Sequence, residues 1–332
     1  IYNLTSRQDV KANRMALYAE DAIYIDTEKL RMTVNAGLRA SYWDFNKEFL
    51  LSPRVNLSIS PMSNSNWTYR IATGLYYQSP FYKEYREAVI DDLGNGNVIL
   101  NRDIKSPRSI QLILATDYTF RAFNRPFKIT GELYYKNLAN CISYEYDNLK
   151  VNYSGVNDSK GNIFGLDFKL FGQFVPGSDS WLSFSLMHTS QNLNGVKVPM
   201  PNDQRYSFAL YFTDYFPKLP KLKFSLRGVL ADGLTLTPPN KSRDEGFFRA
   251  PSYKRVDIGL SYQLVGAPTD GVVSRDWRRH FKDITIGLDL FNLFDISNVS
   301  SYYWVTDINN IQYAVPNYLT RRQVNVSLRV GF

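Results

Sequence analysis

The chain has 332 residues, of which 44% are hydrophobic and 15% aromatic, and its 39 Lys and Arg residues against 31 Asp and Glu residues give a formal net charge of +8. So many aromatic residues exclude a disordered chain, and no stretch reaches the roughly 20 consecutive apolar residues of a membrane-spanning helix. Apart from RDWRRH at 275–280, the basic residues are dispersed, which favours a solvated charged surface over a nucleic-acid partner.

Apolar and polar residues alternate with a period of two along most of the chain, the pattern of strands with one apolar and one polar face. No comparable stretch has the helical period of about 3.6 residues. We therefore predict an all-β chain. In chain order, the predicted strands lie near 13–26, 30–43, 50–60, 67–78, 107–121, 126–147, 161–174, 180–191, 204–215, 221–231, 252–264, 281–304 and 318–332. Two of them are long and interrupted, at KNLANC and NLFDIS, which predicts a bulge or a split.

The lengths of the strands and of their connectors indicate a membrane barrel. The predicted strands have roughly 10 to 20 residues, whereas soluble strands most often have about 5–6 and a barrel strand needs about 9–11 to cross the hydrocarbon. Short connectors (26–30, 61–66, 121–126, 175–180, 216–221) alternate with longer ones (79–107, 148–160, 192–203, 232–251, 305–318), with exceptions at 44–49 and 265–280. Because membrane barrels have short periplasmic turns and long outer loops, the sequence predicts an antiparallel transmembrane β-barrel.

The thirteen predicted strands do not close such a barrel, because single-chain bacterial barrels have an even number of strands. The chain also opens without an initiating Met or a signal peptide. We expect this chain to be the C-terminal portion of a larger barrel. The alternative is a miscount, with a complete barrel of about 12 or 14 strands.

Two C-terminal segments resemble a known family. ITIGLDLFNLFDISNVSSYYW at 284–304 and RRQVNVSLRVGF at 321–332 are similar to the end of TonB-dependent outer-membrane receptors, in which an N-L-F-[DN] element lies in the penultimate strand and the last strand ends on an aromatic residue. The residues that match are Asn292, Leu293, Phe294, Asp295 and Phe332. The segments 50–61, 67–84, 230–240 and 253–264 also resemble this family, so the resemblance covers nearly the whole chain.

The resemblance implies a barrel of about 22 strands with a plugged lumen, in the outer membrane of a Gram-negative bacterium. The expected partners are an N-terminal plug domain or upstream chain, TonB, the lipid bilayer with its lipopolysaccharide, and lipoprotein subunits. The implied function is the energised uptake of a scarce solute: an iron chelate, a vitamin, an oligosaccharide or a peptide. The alternatives are a complete passive channel of about 12–14 strands and a receptor-like barrel that serves as a structural subunit of an outer-membrane complex.

Three sets of residues receive a predicted role. The alternating residues of the last strand resemble the signal read by the barrel-assembly machinery: Val324, Val326, Leu328, Val330 and Phe332. Aromatic residues near strand ends would form a girdle at the water–lipid boundary: Trp43, Trp67, Tyr77, Trp181, Tyr303 and Trp304. Charged residues on the polar side would face the lumen, with ion pairs to a plug favoured over solute contact: Arg39, Arg70, Asp117, Asp167, Lys169, Arg227, Asp257, Asp289 and Arg329.

We expect neither an enzyme nor a bound cofactor. No Ser or Cys nucleophile motif accompanies His188 or His280, no P-loop or dinucleotide fingerprint is present, and Cys141 has no partner for a disulfide. Asp91 and Asp92 lie together in the longest connector. They lack both the ligand spacing of a calcium loop and a group that would position them as acid and base.

Overall fold

The computed structural model describes residues 10–90, 96–147, 150–175, 178–216, 218–238, 241–266 and 281–332. Its strands, in chain order, are β1 (Arg14–Asp26), β2 (Leu30–Trp43), β3 (Glu48–Pro61), β4 (Trp67–Tyr77), β5 (Arg86–Ile90), β6 (Gly96–Leu100), β7 (Arg108–Ala122), β8 (Arg125–Cys141), β9 (Tyr144–Asp147), β10 (Lys150–Tyr153), β11 (Ser159–Val175), β12 (Ser178–Leu193), β13 (Val196–Val198), β14 (Tyr206–Phe216), β15 (Leu219–Ala231), β16 (Thr235–Leu236), β17 (Phe248–Arg249), β18 (Tyr253–Val265), β19 (Asp283–Phe291), β20 (Val299–Thr306), β21 (Gln312–Tyr318) and β22 (Gln323–Gly331).

One antiparallel sheet contains the thirteen long strands in the order β1-β2-β3-β4-β7-β8-β11-β12-β14-β15-β18-β19-β22, with β13 added beside β12. Each of the thirteen overlaps one of the strands predicted from the period of two, and the chain is all-β as predicted. The sheet has two edges: within the described residues, β1 pairs with β2 alone and β22 pairs with β19 alone.

The two interrupted strands are split, as the sequence suggested. Asn140 has a φ of 54°, and β8 ends one residue later, before the short strand β9. Beyond β19, Asn292 and Asp295 have φ angles of 51° and 53°. These left-handed conformations cannot continue an extended strand, so β20 begins a separate hairpin rather than prolonging β19.

Short and long connectors lie at opposite ends of the sheet. The short end includes the two-residue turn at Phe123 and Asn124, whose φ angles of 52° and 57° are those of a type I′ hairpin turn. The predicted exceptions also hold, since 44–47 is a short connector at the long-loop end and 266–282 is a long one at the short-turn end. The sequence did not predict the small hairpins β5–β6, β9–β10, β16–β17 and β20–β21, which lie within the long connectors.

The register divides the sheet into two faces, because directly paired residues share a face and neighbours along a strand alternate. On one face, Leu133 pairs with Leu114 and with Leu166. We call this the aliphatic face. On the other, Glu132 pairs with Ala115 and with Asp167. We call this the polar face.

Large apolar side chains on the aliphatic face are exposed rather than packed into a protein core. Leu112, Leu114 and Leu133 are 44%, 45% and 44% exposed. A contiguous apolar surface of this kind marks contact with a membrane or another protein. No helix in the described ranges has the length and hydropathy needed to span a bilayer.

Candidate functional site: the polar face and the loop layer

All nine charged residues predicted to line a lumen lie on the polar face. Their phase is fixed by cross-strand pairs such as Arg39 with Ser52, Arg227 with Asp257, and Asp289 with Asn325. The remaining five are Arg70, Asp117, Asp167, Lys169 and Arg329. That this face lines a lumen stays a prediction from the register.

Asp117 is the centre of a charged cluster on the polar face of β4, β7 and β8. Its carboxylate accepts hydrogen bonds from Arg70 Nη2 at 3.2 Å and from Thr130 Oγ1 at 2.7 Å, and Lys128 Nζ lies 3.3 Å from Oδ2. Asp117 is 8% exposed. Because this carboxylate is satisfied from three sides, the cluster is a structural brace between neighbouring strands.

Two adjoining concavities lie on the polar face of β1 to β4, towards the long-loop end. Their volumes are about 460 and 580 Å³, and Arg39, Arg54 and Tyr76 line both of them. A third concavity of about 430 Å³ lies on β14 to β22 and includes Asp289 and Arg329. Volumes in this range are typical of small-molecule sites.

A hydrophobic cluster lies above the sheet, among the long connectors. Trp43, Phe45, Tyr85, Ile104 and Ile142 form it, and we call it and the connectors around it the loop layer. Trp43 is 3% exposed and stacks on Phe45 with their ring centroids 4.9 Å apart. The prediction that Trp43 belongs to a lipid-facing girdle is therefore wrong, because this side chain is on the polar face and buried within the loop layer.

Hydrogen bonds join separate connectors within the loop layer. Glu48 Oε2 accepts from the backbone N of Ser106 at 3.0 Å. Asn157 Nδ2 donates to the carbonyl oxygens of Lys105 and Asn140 at 2.9 and 2.7 Å. These bonds link the start of β3 and the connectors that follow β4 and β8 into one unit.

A second group of ionic contacts joins the connectors after β12 and β15. Arg205 Nε donates to Asp232 Oδ2 at 2.6 Å, Arg249 Nη1 lies 3.2 Å from the same oxygen, and Arg249 also binds Asp203. The hydrogen bond from Arg205 holds the pKa of Asp232 below its ordinary value. Asp203 is 1% exposed and also accepts from the backbone N of Thr189 at 2.8 Å.

Arg243 joins three connectors at once. It is 3% exposed and donates to Pro199 O at 3.1 Å and to Gln191 Oε1 at 2.8 Å, while its backbone N donates to Glu145 Oε1 at 3.3 Å. Burial raises the pKa of Glu145 and lowers that of Arg243. The sequence did not reveal this residue, because its partners are up to 98 positions away.

The family motif forms a turn after β19 rather than part of a strand, which corrects the expectation for Asn292, Leu293, Phe294 and Asp295. Asn292 is 2% exposed. Its backbone N donates to Asp257 Oδ1 at 2.8 Å, and its side chain closes a loop with both backbone groups of Ile296. Leu293 N donates to Val256 O at 2.7 Å, so the turn is tied to β18. Phe294 is 64% exposed.

Asp295 fixes the start of the last strand. Arg321 Nε and Nη2 donate to its two carboxylate oxygens at 3.0 and 2.7 Å, and Arg322 N donates to Oδ1 at 2.9 Å. The hydrogen bonds from Arg321 hold the pKa of Asp295 well below its ordinary range.

The other predicted girdle residues fall into three places. Trp67 and Tyr77 lie at opposite ends of β4 on the aliphatic face, so their girdle role stays a prediction. Trp181 pairs with Phe171 and Tyr211 on the polar face, so its assignment to the lipid boundary is wrong. Tyr303 and Trp304 lie in the β20–β21 hairpin, outside the thirteen-stranded sheet, which corrects their placement at the end of a membrane strand.

The apolar residues of the last strand lie together on the aliphatic face. Val324, Val326 and Leu328 pair with Leu290, Leu288 and Ile286 of β19. Val330 continues this row, and the ring of Phe332 is 5.4 Å from that of Phe281. Recognition of this strand by an assembly machinery stays a prediction.

The described part of the chain contains no candidate metal site. Groups of three or more His, Cys, Asp or Glu side chains suited to a metal ion are not present there. Cys141 is a half-buried free thiol at the end of β8, and His188 pairs with Phe164 on the aliphatic face. Asp91, Asp92 and His280 lie outside the described residues.

The chain matches one protein family in sequence and several outer-membrane proteins in structure. The family model described as TonB dependent receptor-like, beta-barrel, matches residues 1–293. The outer-membrane transporter YddB from Escherichia coli superposes with a TM-score of 0.63 at 14% identity, over 96% of this chain and 45% of that one. The receptor FpvA from Pseudomonas aeruginosa, bound to pyoverdine, gives 0.62 at 13% identity over 97% and 42%.

A third neighbour is the ferric-catecholate import receptor Fiu from E. coli, with a TM-score of 0.60 at 14% identity over 96% of this chain and 44% of that one. The chain thus spans less than half of the length of each of these structures. Comparison with curated proteins finds no significant match. The matched family and the neighbours are receptors and transporters rather than enzymes.

Proposed function

This chain belongs to the TonB-dependent receptor β-barrel family, and from that premise we propose that it forms part of a receptor for the energised uptake of a scarce solute. Proteins of this family and its structural neighbours are located in the Gram-negative outer membrane, as the sequence predicted. The observation that carries the proposal is the family match over residues 1–293, which includes twelve of the thirteen sheet strands in order.

The chemistry of the two faces supports this function. Leucines that are more than two-fifths exposed on the aliphatic face suit contact with hydrocarbon, and the charged polar face suits a water-filled path. Among the described residues, the outer edges of β1 and β22 have no strand partner, and unpaired backbone groups cost several kcal/mol each in hydrocarbon. We therefore propose that both edges pair with further strands, and that a plug domain and TonB complete the receptor.

Among the solute classes that the sequence left open, an iron chelate has the best support. Three structural neighbours are a ferric-catecholate import receptor, a ferric citrate transporter and a ferric enterobactin receptor. Their identity to this chain is low, so the solute is our proposal. Lipopolysaccharide and lipoprotein subunits are further proposed partners in the membrane.

The test is uptake of radiolabelled iron(III) chelates by cells that carry the full-length gene and lack other high-affinity iron receptors. We expect accumulation that requires both this gene and TonB. Equal accumulation without TonB would instead support the passive channel, which also predicts ion conductance of the purified protein in planar bilayers. Unchanged uptake after deletion of the gene, together with tightly bound partner subunits, would support the structural-subunit alternative.

A further inference from the structure

The polar face of β1 to β4 carries arginines that are not neutralised, just below the loop layer. Arg39 forms neither an ion pair nor a hydrogen bond with any group in the described part of the chain, and the guanidinium of Arg54 contacts only the Tyr76 ring, 5.2 Å from its centroid. Other arginines nearby are occupied: Arg31 pairs with Asp26, and Arg70 with Asp117.

Arg39 and Arg54 are diagonal neighbours on adjacent strands, because Arg39 pairs with Ser52 and Arg54 pairs with Gly37. Diagonal positions are about 7–8 Å apart, within reach of two long side chains that bind one ligand. On its other side Arg54 pairs with Gly74. Neither glycine places a side chain beside Arg54; the Tyr76 ring lies over Gly74, and the aliphatic stem of Glu20 lies near Gly37.

The surroundings are suited to an anion with a planar group. Tyr18 and Tyr76 line the lower concavity with the two arginines, and Glu20 is the acidic residue that shares it. Glu20 forms no ion pair with either arginine. Arg14, at the upper concavity, stacks over Trp43 at 4.4 Å and donates to Pro80 O at 3.0 Å. The three arginines against one carboxylate leave a local excess of positive charge.

We propose that Arg39 and Arg54 bind an anionic iron chelate on its way through the barrel, an inference that rests on the proposed function. A guanidinium binds carboxylate or catecholate oxygens through two parallel hydrogen bonds, and the tyrosine rings offer faces for the planar parts of the chelator. An uncharged chelate would accept weaker hydrogen bonds from the arginines, because its oxygens carry no net negative charge. The site therefore selects for negative charge.

The test measures equilibrium binding of radiolabelled chelates to the purified full-length receptor in detergent. The probes are ferric citrate and an iron(III) tricatecholate, which are anionic, and an uncharged iron(III) trihydroxamate. The double variant R39Q/R54Q is compared with R31Q/R121Q, which removes the same charge from the polar face at the short-turn end of β2 and β7. Losing charge-assisted hydrogen bonds should weaken binding of at least one anionic chelate about tenfold or more.

We expect R31Q/R121Q to bind like the unmodified receptor and R39K/R54K to give intermediate affinity, because lysine keeps the charge without the two-pronged geometry. Equal weakening for the uncharged chelate, or no weakening in R39Q/R54Q, would overturn the arginine site and leave the proposed function intact. A lower unfolding temperature of R39Q/R54Q without a charge-selective change in binding would show that the arginines hold the plug instead. Failure of all three chelates to bind would overturn the iron-chelate proposal itself.

Discussion

Two regions of the polar face use charge in different ways. On β4 to β8, Asp117 is almost buried and contacts Arg70, Lys128 and Thr130. On β1 to β3, Arg39 and Arg54 are exposed and have no carboxylate partner in the described residues. The first arrangement stabilises the sheet. In the second, the guanidinium groups remain available to hydrogen-bond a ligand. The difference separates charges that maintain the wall from charges that are available to a ligand.

The largest expected effect comes from breaking the paired region. D117N would leave Arg70 and Lys128 as neighbouring cations without a counter-charge, and we expect a loss of about 2 kcal/mol in the free energy of unfolding, less than for a fully buried pair because both cations are partly exposed. The temperature at which the folded band disappears on heating in SDS gels should be lower for D117N than for the unmodified receptor. An unchanged melting profile would remove the distinction between the two regions.

A smaller loss is expected when one cation is removed and Lys128 still contacts Asp117. R70Q should cost about 1 kcal/mol, because Arg70 is more than a third exposed and solvent screens its ion pair. The same gel assay with D117N and R70Q combined would show whether the two losses are less than additive, as expected for groups in one cluster.

A still smaller effect concerns pH and the turn at Asp295. Since its folded-state pKa is depressed by Arg321, the ionised carboxylate stabilises the turn fully above the unfolded pKa of about 4. This contribution is lost only as the pH falls through the depressed value. Hydrogen exchange at the Arg322 amide should therefore stay slow from pH 7 to about 5 and become faster in D295N. Equal protection in D295N would contradict this assignment.

The unpaired region should show no stability effect at all. R39Q/R54Q removes no ion pair seen among the described residues, so its free energy of unfolding should stay within about 0.5 kcal/mol of the unmodified receptor. A loss as large as that of D117N would mean that these arginines are braces too, and the comparison between the two regions would fail.

The strands and their faces could be predicted because a period of two encodes both. The same alternation also predicts the correct face for two residues that were assigned to the girdle. Trp43 is in phase with Arg39, and Trp181 with Lys169. Aromatic character and a position near a strand end indicate a lipid boundary, but for these two residues the phase places the side chain on the polar face. The alternation therefore deserves priority over residue type when a face is assigned.

The loop layer could not be predicted from local patterns. Arg243 binds groups 44 and 52 positions away, and Glu48 binds Ser106 across 58 positions. Such partners depend on where the whole sheet brings the connectors together. The unneutralised state of Arg39 and Arg54 also needed the structure, because it depends on which carboxylates are already engaged elsewhere.

The hydrogen bonds of Asn157 to Lys105 and Asn140 have an evolutionary consequence. These hydrogen bonds join several connectors where they leave the sheet. Exchanging one whole connector between related receptors would therefore break hydrogen bonds to the neighbouring connectors. The hairpins β5–β6 and β20–β21 pair within themselves, whereas β9–β10 is tied to the connector after β15 through Glu145. Sequence drift under pressure from bacteriocins or antibodies is therefore expected to concentrate in β5–β6 and β20–β21, while the joined segments change slowly and together.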